Sequence, residues 1–194
     1  EAHFLRAFYY WHIVEQFGGV TLTTEETSTP VLYRQRSPIS AFYKLITEDL
    51  EFAAKYLPVT QSDQGRVCRK AAYHLLSRAY LTMANYCQMP DSMKIHLDCS
   101  DMTADLAPAY FRKALDAAKY LIDHQAELGV SLYENYADLF APANNKNNKE
   151  ALFIVSHSTI DALNPQRYPN RLHMWYQAKY DTYCGVSLNL KDGL

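Results

Sequence analysis

The stretch that decides the fold is residues 1–20, EAHFLRAFYYWHIVEQFGGV. Its apolar and aromatic side chains occupy nearly every side of a helix axis, and the run ends at Gly18-Gly19, where glycine supplies a left-handed cap. A helix at a protein surface normally keeps one apolar stripe and one polar face. The pattern therefore predicts a first helix that neighbouring elements cover on several sides, with Trp11 in the core.

Three further amphipathic patterns follow, each with apolar residues at every third or fourth position. Pro38 begins the second pattern after Ser37, a suitable N-cap, and Pro58 stands just beyond its end. The third is rich in alanine, which lets helix backbones approach closely. The fourth predicts a buried face made of Phe111, Ala114, Leu115, Ala118, Leu121 and Ile122. The predicted helices span about 1–17, 38–57, 69–88 and 108–127.

The alternation of small and large residues along these helices is similar to tetratricopeptide packing, in which antiparallel helix pairs stack on one another. We therefore predict a mainly α fold, with a tetratricopeptide-like α-superhelix over residues 1–129. Residues 130–194 are expected to begin a loop-rich ligand-binding lobe that is incomplete, with a short strand at Ala151–Ser156. Because the chain starts at Glu1 inside a helical pattern, we expect an internal piece of a longer protein.

Composition excludes some classes of protein. The net charge is −2 and Lys and Arg form no block, which argues against a nucleic-acid partner. None of the four cysteines lies at Cys-x-x-Cys spacing, so a zinc site is not expected. No run of about 18 apolar residues occurs. The 16 tyrosines suit binding surfaces, since each combines an apolar ring with a polar tip.

Motifs for catalysis are missing from the sequence. It contains no Glu-x-x-His pair, no glycine-rich phosphate loop and no nucleophile elbow, so we expect neither an enzyme nor a cofactor. Residues 89–108 are predicted to form a loop. Its four aspartates are too widely spaced for a calcium loop, so no metal site is predicted: Asp91, Asp98, Asp101 and Asp105.

Positive charge at the start of the third helix opposes the helix dipole. Arg66, Arg69 and Lys70 lie there. The conflict predicts a partner for these groups, either an acidic residue on the second helix, Glu48 or Asp49, or another protein.

Four blocks, taken in order, resemble the SusD/RagB family of glycan- or nutrient-binding outer-membrane lipoproteins of Bacteroidota. The blocks are EAHFLRAFYYWHIVEQFGGVTL, YKLITEDLEFAAKYLP, QGRVCRKAAYHLLSRAYL and YADLFAPANNKNNKEALFIV. The resemblance covers about residues 1–160, with Cys68 where the family often has a small hydroxyl residue. It implies a surface-exposed outer-membrane protein, held by a lipid anchor outside this chain, whose helical core docks on a SusC-like TonB-dependent transporter.

The resemblance also implies an oligosaccharide ligand, delivered to that transporter. Aromatic rings cover the apolar faces of sugars, while amide and guanidinium groups bind their hydroxyls. Loops carry such sites more often than helices. A candidate set lies in the last, loop-like part of the chain: Trp175, Tyr176, Asn170, Arg171 and Tyr180.

Three other functions stay open at this point. The ligand of a RagB-like member would be a peptide rather than a glycan. An intracellular tetratricopeptide scaffold would bind protein partners. A helical enzyme would need catalytic residues that lie outside this chain.

Overall fold

A computed structural model describes residues 1–26, 28–29, 33–63, 65–144 and 148–154 of the chain. Its six α-helices are α1 (Ala2–Phe17), α2 (Ile39–Tyr56), α3 (Arg69–Gln88), α4 (Asp91–Leu97), α5 (Ala107–Asp123) and α6 (Gln125–Leu128). Single 3-10 turns occur at Ala104–Leu106, Tyr136–Phe140 and Pro142–Asn144. Within these residues the structure contains no β-strand, and no helix is long and apolar enough to span a membrane.

The helices pack in chain order, and each long helix runs antiparallel to the next. Between α1 and α2, Tyr10 contacts Phe42 and Arg6 contacts Asp49, so residue numbers rise along one helix as they fall along the other. In the same antiparallel way, α2 packs against α3, and α3 packs against α5. This arrangement confirms the predicted mainly α, tetratricopeptide-like architecture.

The first helix is covered on two sides rather than all round. Phe4, Ala7, Trp11 and Val14 are buried in the core. Phe8 lies beside them and packs edge-on against Phe153, with the two ring centroids 5.4 Å apart. The opposite side, including Leu5, Tyr9 and Phe17, is exposed. The apolar residues that made this helix unusual therefore divide between a core face and an open face.

Small residues bring α3 and α5 close together. Ala72 and Ala79 on α3 and Ala114 and Ala117 on α5 are all buried. The Ser77 hydroxyl donates a hydrogen bond of 2.9 Å to the carbonyl of Ala114, which a larger side chain at the interface would prevent. The predicted face of α5 is partly wrong, because Leu115 and Ile122 are exposed while Ala117 is buried.

The predicted loop at residues 89–108 contains the helix α4. Pro90 precedes it, Asp91 lies in its first turn and Lys94 and His96 lie in its last turn, so its charges suit the helix dipole. The Lys94 side chain is buried, with its Nζ 3.5 Å from an Asp91 oxygen. The loop prediction was wrong because these short-range effects outweigh the polar composition.

The strand predicted over Ala151–Ser156 is not formed in its described part, Ala151–Ile154. A strand needs a neighbouring strand to pair its backbone, and here one backbone hydrogen bond, from Ser131 to Lys149, ties this region to the preceding segment. Phe153 instead packs edge-on against Phe4 at 5.3 Å. The apolar run therefore covers α1 rather than extending a sheet.

Candidate functional site

A cavity of about 660 Å³ lies at the C-terminal end of α1. Small-molecule sites commonly measure about 300–1,000 Å³. Its walls come from the last turn of α1, the segment before α2, the end of α3 and the end of α4. The lining residues are Val14, Glu15, Gln16, Phe17, Gly18, Gly19, Arg36, Ser37, Ile39, Tyr86, His96, Leu97 and Asp98.

Two glycines create this cavity by turning the chain at the end of α1. Gly18 has a φ of 67° and a ψ of −154°, a combination that is essentially restricted to glycine. A Cβ on Gly19 would lie 2.1 Å from the carbonyl oxygen of Ser37. The chain then runs beside the segment before α2, where the Ser37 amide donates to the Val20 carbonyl at 2.8 Å.

Ser37 has a different role from the predicted one. The residue before the first turn of α2 is Pro38, so Ser37 does not cap the helix. Its hydroxyl oxygen accepts a hydrogen bond of 3.2 Å from the Leu22 amide. The side chain therefore fixes the returning segment that closes one wall of the cavity.

A buried tyrosine positions one carboxylate of the cavity. The hydroxyl of Tyr43, on α2, donates a hydrogen bond to Glu15 Oε1. Tyr43 is fully buried, and burial, followed by the bond to the Glu15 carboxylate, raises the pKa of its hydroxyl. Because the tyrosine stays protonated, it remains a donor and leaves the other Glu15 oxygen available.

The other polar groups of the cavity are anchored through the backbone. An Arg36 guanidinium nitrogen donates to the Phe17 carbonyl at 3.0 Å, which satisfies one of the free carbonyls at the end of α1. Asp98 occupies the left-handed region with a φ of 53°. Its carbonyl accepts a hydrogen bond of 3.3 Å from the Ile39 amide. Arg36 thus connects the segment before α2 to the end of α1, and Asp98 connects the end of α4 to the start of α2.

A second polar cluster lies between α1 and α2 and has a structural role. Arg6 donates two hydrogen bonds of 2.7 Å to the carboxylate of Asp49, which also contacts the His3 ring. Burial alone would raise the pKa of Asp49, but the hydrogen bonds from Arg6 and His3 outweigh it and lower that pKa. Asp49 is therefore an ionised, paired group inside the helix pair.

The basic residues at the start of α3 find partners that the sequence analysis missed. Arg66 forms a salt bridge of 2.5 Å with Glu1, and hydrogen bonding to Arg66 and then Gln61 lowers the pKa of Glu1 to about 2. Arg69 donates to the carbonyl of Leu57 at 3.2 Å. The prediction of a partner at Glu48 or Asp49 is wrong, since Asp49 is already bound by Arg6.

Trp11 lies in the core as predicted, with 9% of its surface exposed. The Arg78 guanidinium lies over its ring, 4.6 Å from the centroid, in a cation–π contact. The buried indole Nε1 has no hydrogen-bond partner in the part of the chain that the structure describes. The ring therefore joins α1 to α3 through packing and cation–π attraction.

The predicted ligand-binding residues lie outside the described residues: Trp175, Tyr176, Asn170, Arg171 and Tyr180. The structure instead reveals the cavity at the end of α1, which the sequence analysis did not single out. In the sequence, the Gly18-Gly19 pair is the feature that could have indicated this cavity. Over residues 1–26, 28–29, 33–63, 65–144 and 148–154, no group of three or more His, Cys, Asp or Glu side chains is arranged to hold a metal ion.

The array of antiparallel helix pairs defines a helical-repeat protein, and a cavity with polar and aromatic lining lies at the end of its first helix. Residues 1–81 match the model of the SusD-like family described as "Starch-binding associating with outer membrane". This match covers α1, α2 and most of α3. It supports the expectation of a binding protein rather than an enzyme, because the description names binding.

Individual proteins give the same result. The chain is 24% identical over 159 residues to SusD-like protein P2 of Formosa agariphila, which covers 81% of this chain and 26% of that protein. A crystal structure of a SusD-like protein from Bacteroides fragilis is 26% identical, with a TM-score of 0.59, over 84% of this chain and 27% of the other.

A further solved structure, determined with xylogluco-oligosaccharide, is 27% identical with a TM-score of 0.55, over 78% of this chain and 27% of the other. The chain therefore spans about a quarter of the length of these relatives. The resemblance found in the sequence is confirmed, because the helical region of this chain is similar to SusD-like proteins in both sequence and fold.

Proposed function

We propose that the protein binds oligosaccharides at the outer-membrane surface and delivers them to a SusC-like TonB-dependent transporter. The observation that carries this proposal is the SusD-like helical array, whose family description combines starch binding with the outer membrane. The neighbour determined with xylogluco-oligosaccharide supports a glycan as the ligand. Binding of this kind is reversible, involves no bond breaking and needs no cofactor.

The proposal assigns the helical core and the last part of the chain to different tasks. The stacked helices form the scaffold that docks on the transporter, and a lipid anchor attaches the protein to the membrane. Trp175 and Tyr176 form the platform on which a sugar ring stacks. Asn170, Arg171 and Tyr180 supply hydrogen bonds to its hydroxyls, since a sugar site combines flat apolar surface with a few polar groups.

The test is a calorimetric titration of the protein with plant, host and microbial oligosaccharides, with a peptide digest as the comparison panel. Saturable heat with one class of glycan is the expected result. Heat with peptides alone would contradict the glycan assignment and favour a RagB-like peptide-binding function. Absence of heat with both panels would refute ligand capture and favour a scaffold for protein partners.

The double variant Trp175→Ala/Tyr176→Ala tests whether these two side chains stack on the sugar ring. It should weaken glycan binding by at least about tenfold, because the loss of one ring contact commonly costs about 1 kcal/mol and two rings are removed. Phe140→Ala/Tyr136→Ala removes two exposed aromatic side chains elsewhere and serves as the matched control. Equal affinity of both variants and the wild type would refute this site.

A further inference from the structure

The cavity at the end of α1 contains hydrogen-bonding groups that the fold does not use. Tyr43 occupies one oxygen of Glu15, and the other oxygen has no partner among the described residues. Asp98 is exposed at the cavity wall, and the bonds given for it within that part of the chain involve its backbone rather than its carboxylate. Glu15 in the last turn of α1 and Asp98 at the end of α4 line the same cavity, where Arg36 binds the Phe17 carbonyl at the end of α1.

The charges of this cavity argue against an anionic ligand. The two carboxylates of Glu15 and Asp98, together with the negative end of the α1 dipole, outweigh the single positive charge of Arg36, which also donates to the Phe17 carbonyl. His96 adds a ring that can donate or accept. A ligand that fits must donate several hydrogen bonds and also accept some, as hydroxyl groups do.

The apolar part of the lining favours a ligand with a flat hydrocarbon face. The Phe17 ring is 64% exposed at the rim, and Tyr86 and Leu97 are half-buried in the wall. Polar and apolar groups therefore meet around one space. A wholly apolar ligand would leave the two carboxylates without partners, and burying such groups unpaired is costly.

We infer that the cavity at the end of α1 binds a single sugar residue of an oligosaccharide. The ring stacks on Phe17, and its hydroxyls donate to the carboxylates of Glu15 and Asp98. This inference rests on the proposed oligosaccharide-binding function and adds a sugar site on residues other than Trp175 and Tyr176. Tyr43 holds the Glu15 carboxylate, and the Ile39 amide holds the backbone of Asp98, so both acceptors have fixed places in the fold.

The experiment is a titration of the ¹⁵N-labelled protein with xylogluco-oligosaccharide, followed by the amide signals of Gly18 and Gly19. The chain has six glycines, and their amides fall in a separate region of the spectrum, so the two signals are easy to assign. Saturable shifts of both signals are expected. Inorganic phosphate, as an anionic probe, should not shift them.

Two double variants show whether the lining residues cause the shifts. Glu15→Gln/Phe17→Ala should weaken binding at these signals by at least about tenfold, since a charged acceptor and an aromatic wall are lost. The amide introduced by this substitution still offers an oxygen to Tyr43, so the fold is kept. Glu48→Gln/Phe140→Ala changes the same two residue types at exposed positions outside the cavity and should bind as the wild type does.

The outcomes separate this inference from the proposed function. Calorimetric binding of the oligosaccharide without shifts at Gly18 and Gly19 would overturn the cavity site and leave the proposed function standing. Shifts that persist in Trp175→Ala/Tyr176→Ala, but disappear in Glu15→Gln/Phe17→Ala, would establish the cavity as the sugar site. Absence of both heat and shifts would refute both proposals.

Discussion

Arg6 on α1 binds Asp49 on α2 through two parallel hydrogen bonds of 2.7 Å each, while only 3% of the surface of Asp49 is exposed. A bidentate pair of this kind fixes direction as well as distance. It sets how far α1 slides along α2, and therefore where the end of α1 meets the segment before α2. A contact near the start of α1 thus helps to place the cavity at its other end.

Removal of the arginine should destabilise the fold because a buried carboxylate loses its main partner. We expect Arg6→Met to lower the free energy of unfolding by about 2 kcal/mol, since methionine keeps most of the apolar stem. Chemical denaturation measures the change. Lys44→Met, at an exposed position on α2, is the matched control. An effect no larger than that of the control would show that the pair does not hold the two helices.

The same pair predicts a dependence of stability on pH. The pKa of Asp49 is lower in the folded protein than its unfolded value of about 3.9. Its contribution is therefore complete above that value and is lost as the pH falls through the lower folded pKa. The free energy of unfolding should fall less between about pH 5 and pH 3 in Asp49→Asn than in the wild type.

Glu1 titrates in an overlapping range, because its pKa is lowered to about 2 by Arg66. Glu1→Gln is therefore measured in parallel. The slope of stability against pH should change more in Asp49→Asn, since Asp49 is buried and Glu1 lies at the surface. The same slope in Asp49→Asn and the wild type would contradict the assignment of a lowered pKa to Asp49.

The glycine pair is expected to be sensitive to a single methyl group. Gly19→Ala places a Cβ 2.1 Å from the Ser37 carbonyl oxygen, so the returning segment must move. We expect a loss of more than about 2 kcal/mol of stability. Gly129→Ala is the control: its φ is 62° but no atom lies within 4 Å of the new Cβ, so strain alone costs about 1 kcal/mol. Equal losses in thermal denaturation would refute a steric role for Gly19.

Phe153 should contribute to stability although no regular element contains it. Its ring packs edge-on against Phe4 at 5.3 Å and Phe8 at 5.4 Å. We expect Phe153→Ala to cost about 2 kcal/mol, less than a fully buried phenylalanine because the side chain is half-buried. Phe140→Ala, at a side chain that is 67% exposed, should cost less than about 0.5 kcal/mol. No difference between these variants would mean that this segment does not cover α1.

The sequence predicted well those features that depend on local pattern. The structure begins α2 at Ile39 and α3 at Arg69, within one residue of the predicted positions. Proline and glycine bound these helices, and their backbone preferences act without any tertiary contact. The family resemblance was found in the sequence blocks that form these helices, so it correctly indicated the helical fold as well.

Features that depend on contacts between distant residues were not predictable in the same way. The buried face of α5 was displaced, because α5 packs on α3 through a face that includes Ala114 and Ala117 and leaves Leu115 and Ile122 outside it. Ser37 was expected to cap α2, but the return of the chain after Gly19 offered its hydroxyl to Leu22 instead. The cavity draws residues from four separate segments, so no single pattern in the sequence marks it.

Trp11 is one of two tryptophans in the chain, the other being Trp175. Its indole ring lies between the first and third helices, beneath the Arg78 guanidinium and shielded from water. Trp175→Ala therefore leaves a protein with a single indole fluorophore at the junction of two repeat units. The emission wavelength of that variant reports whether the units remain stacked, with no dye attached and no contribution from the residue proposed to bind sugar.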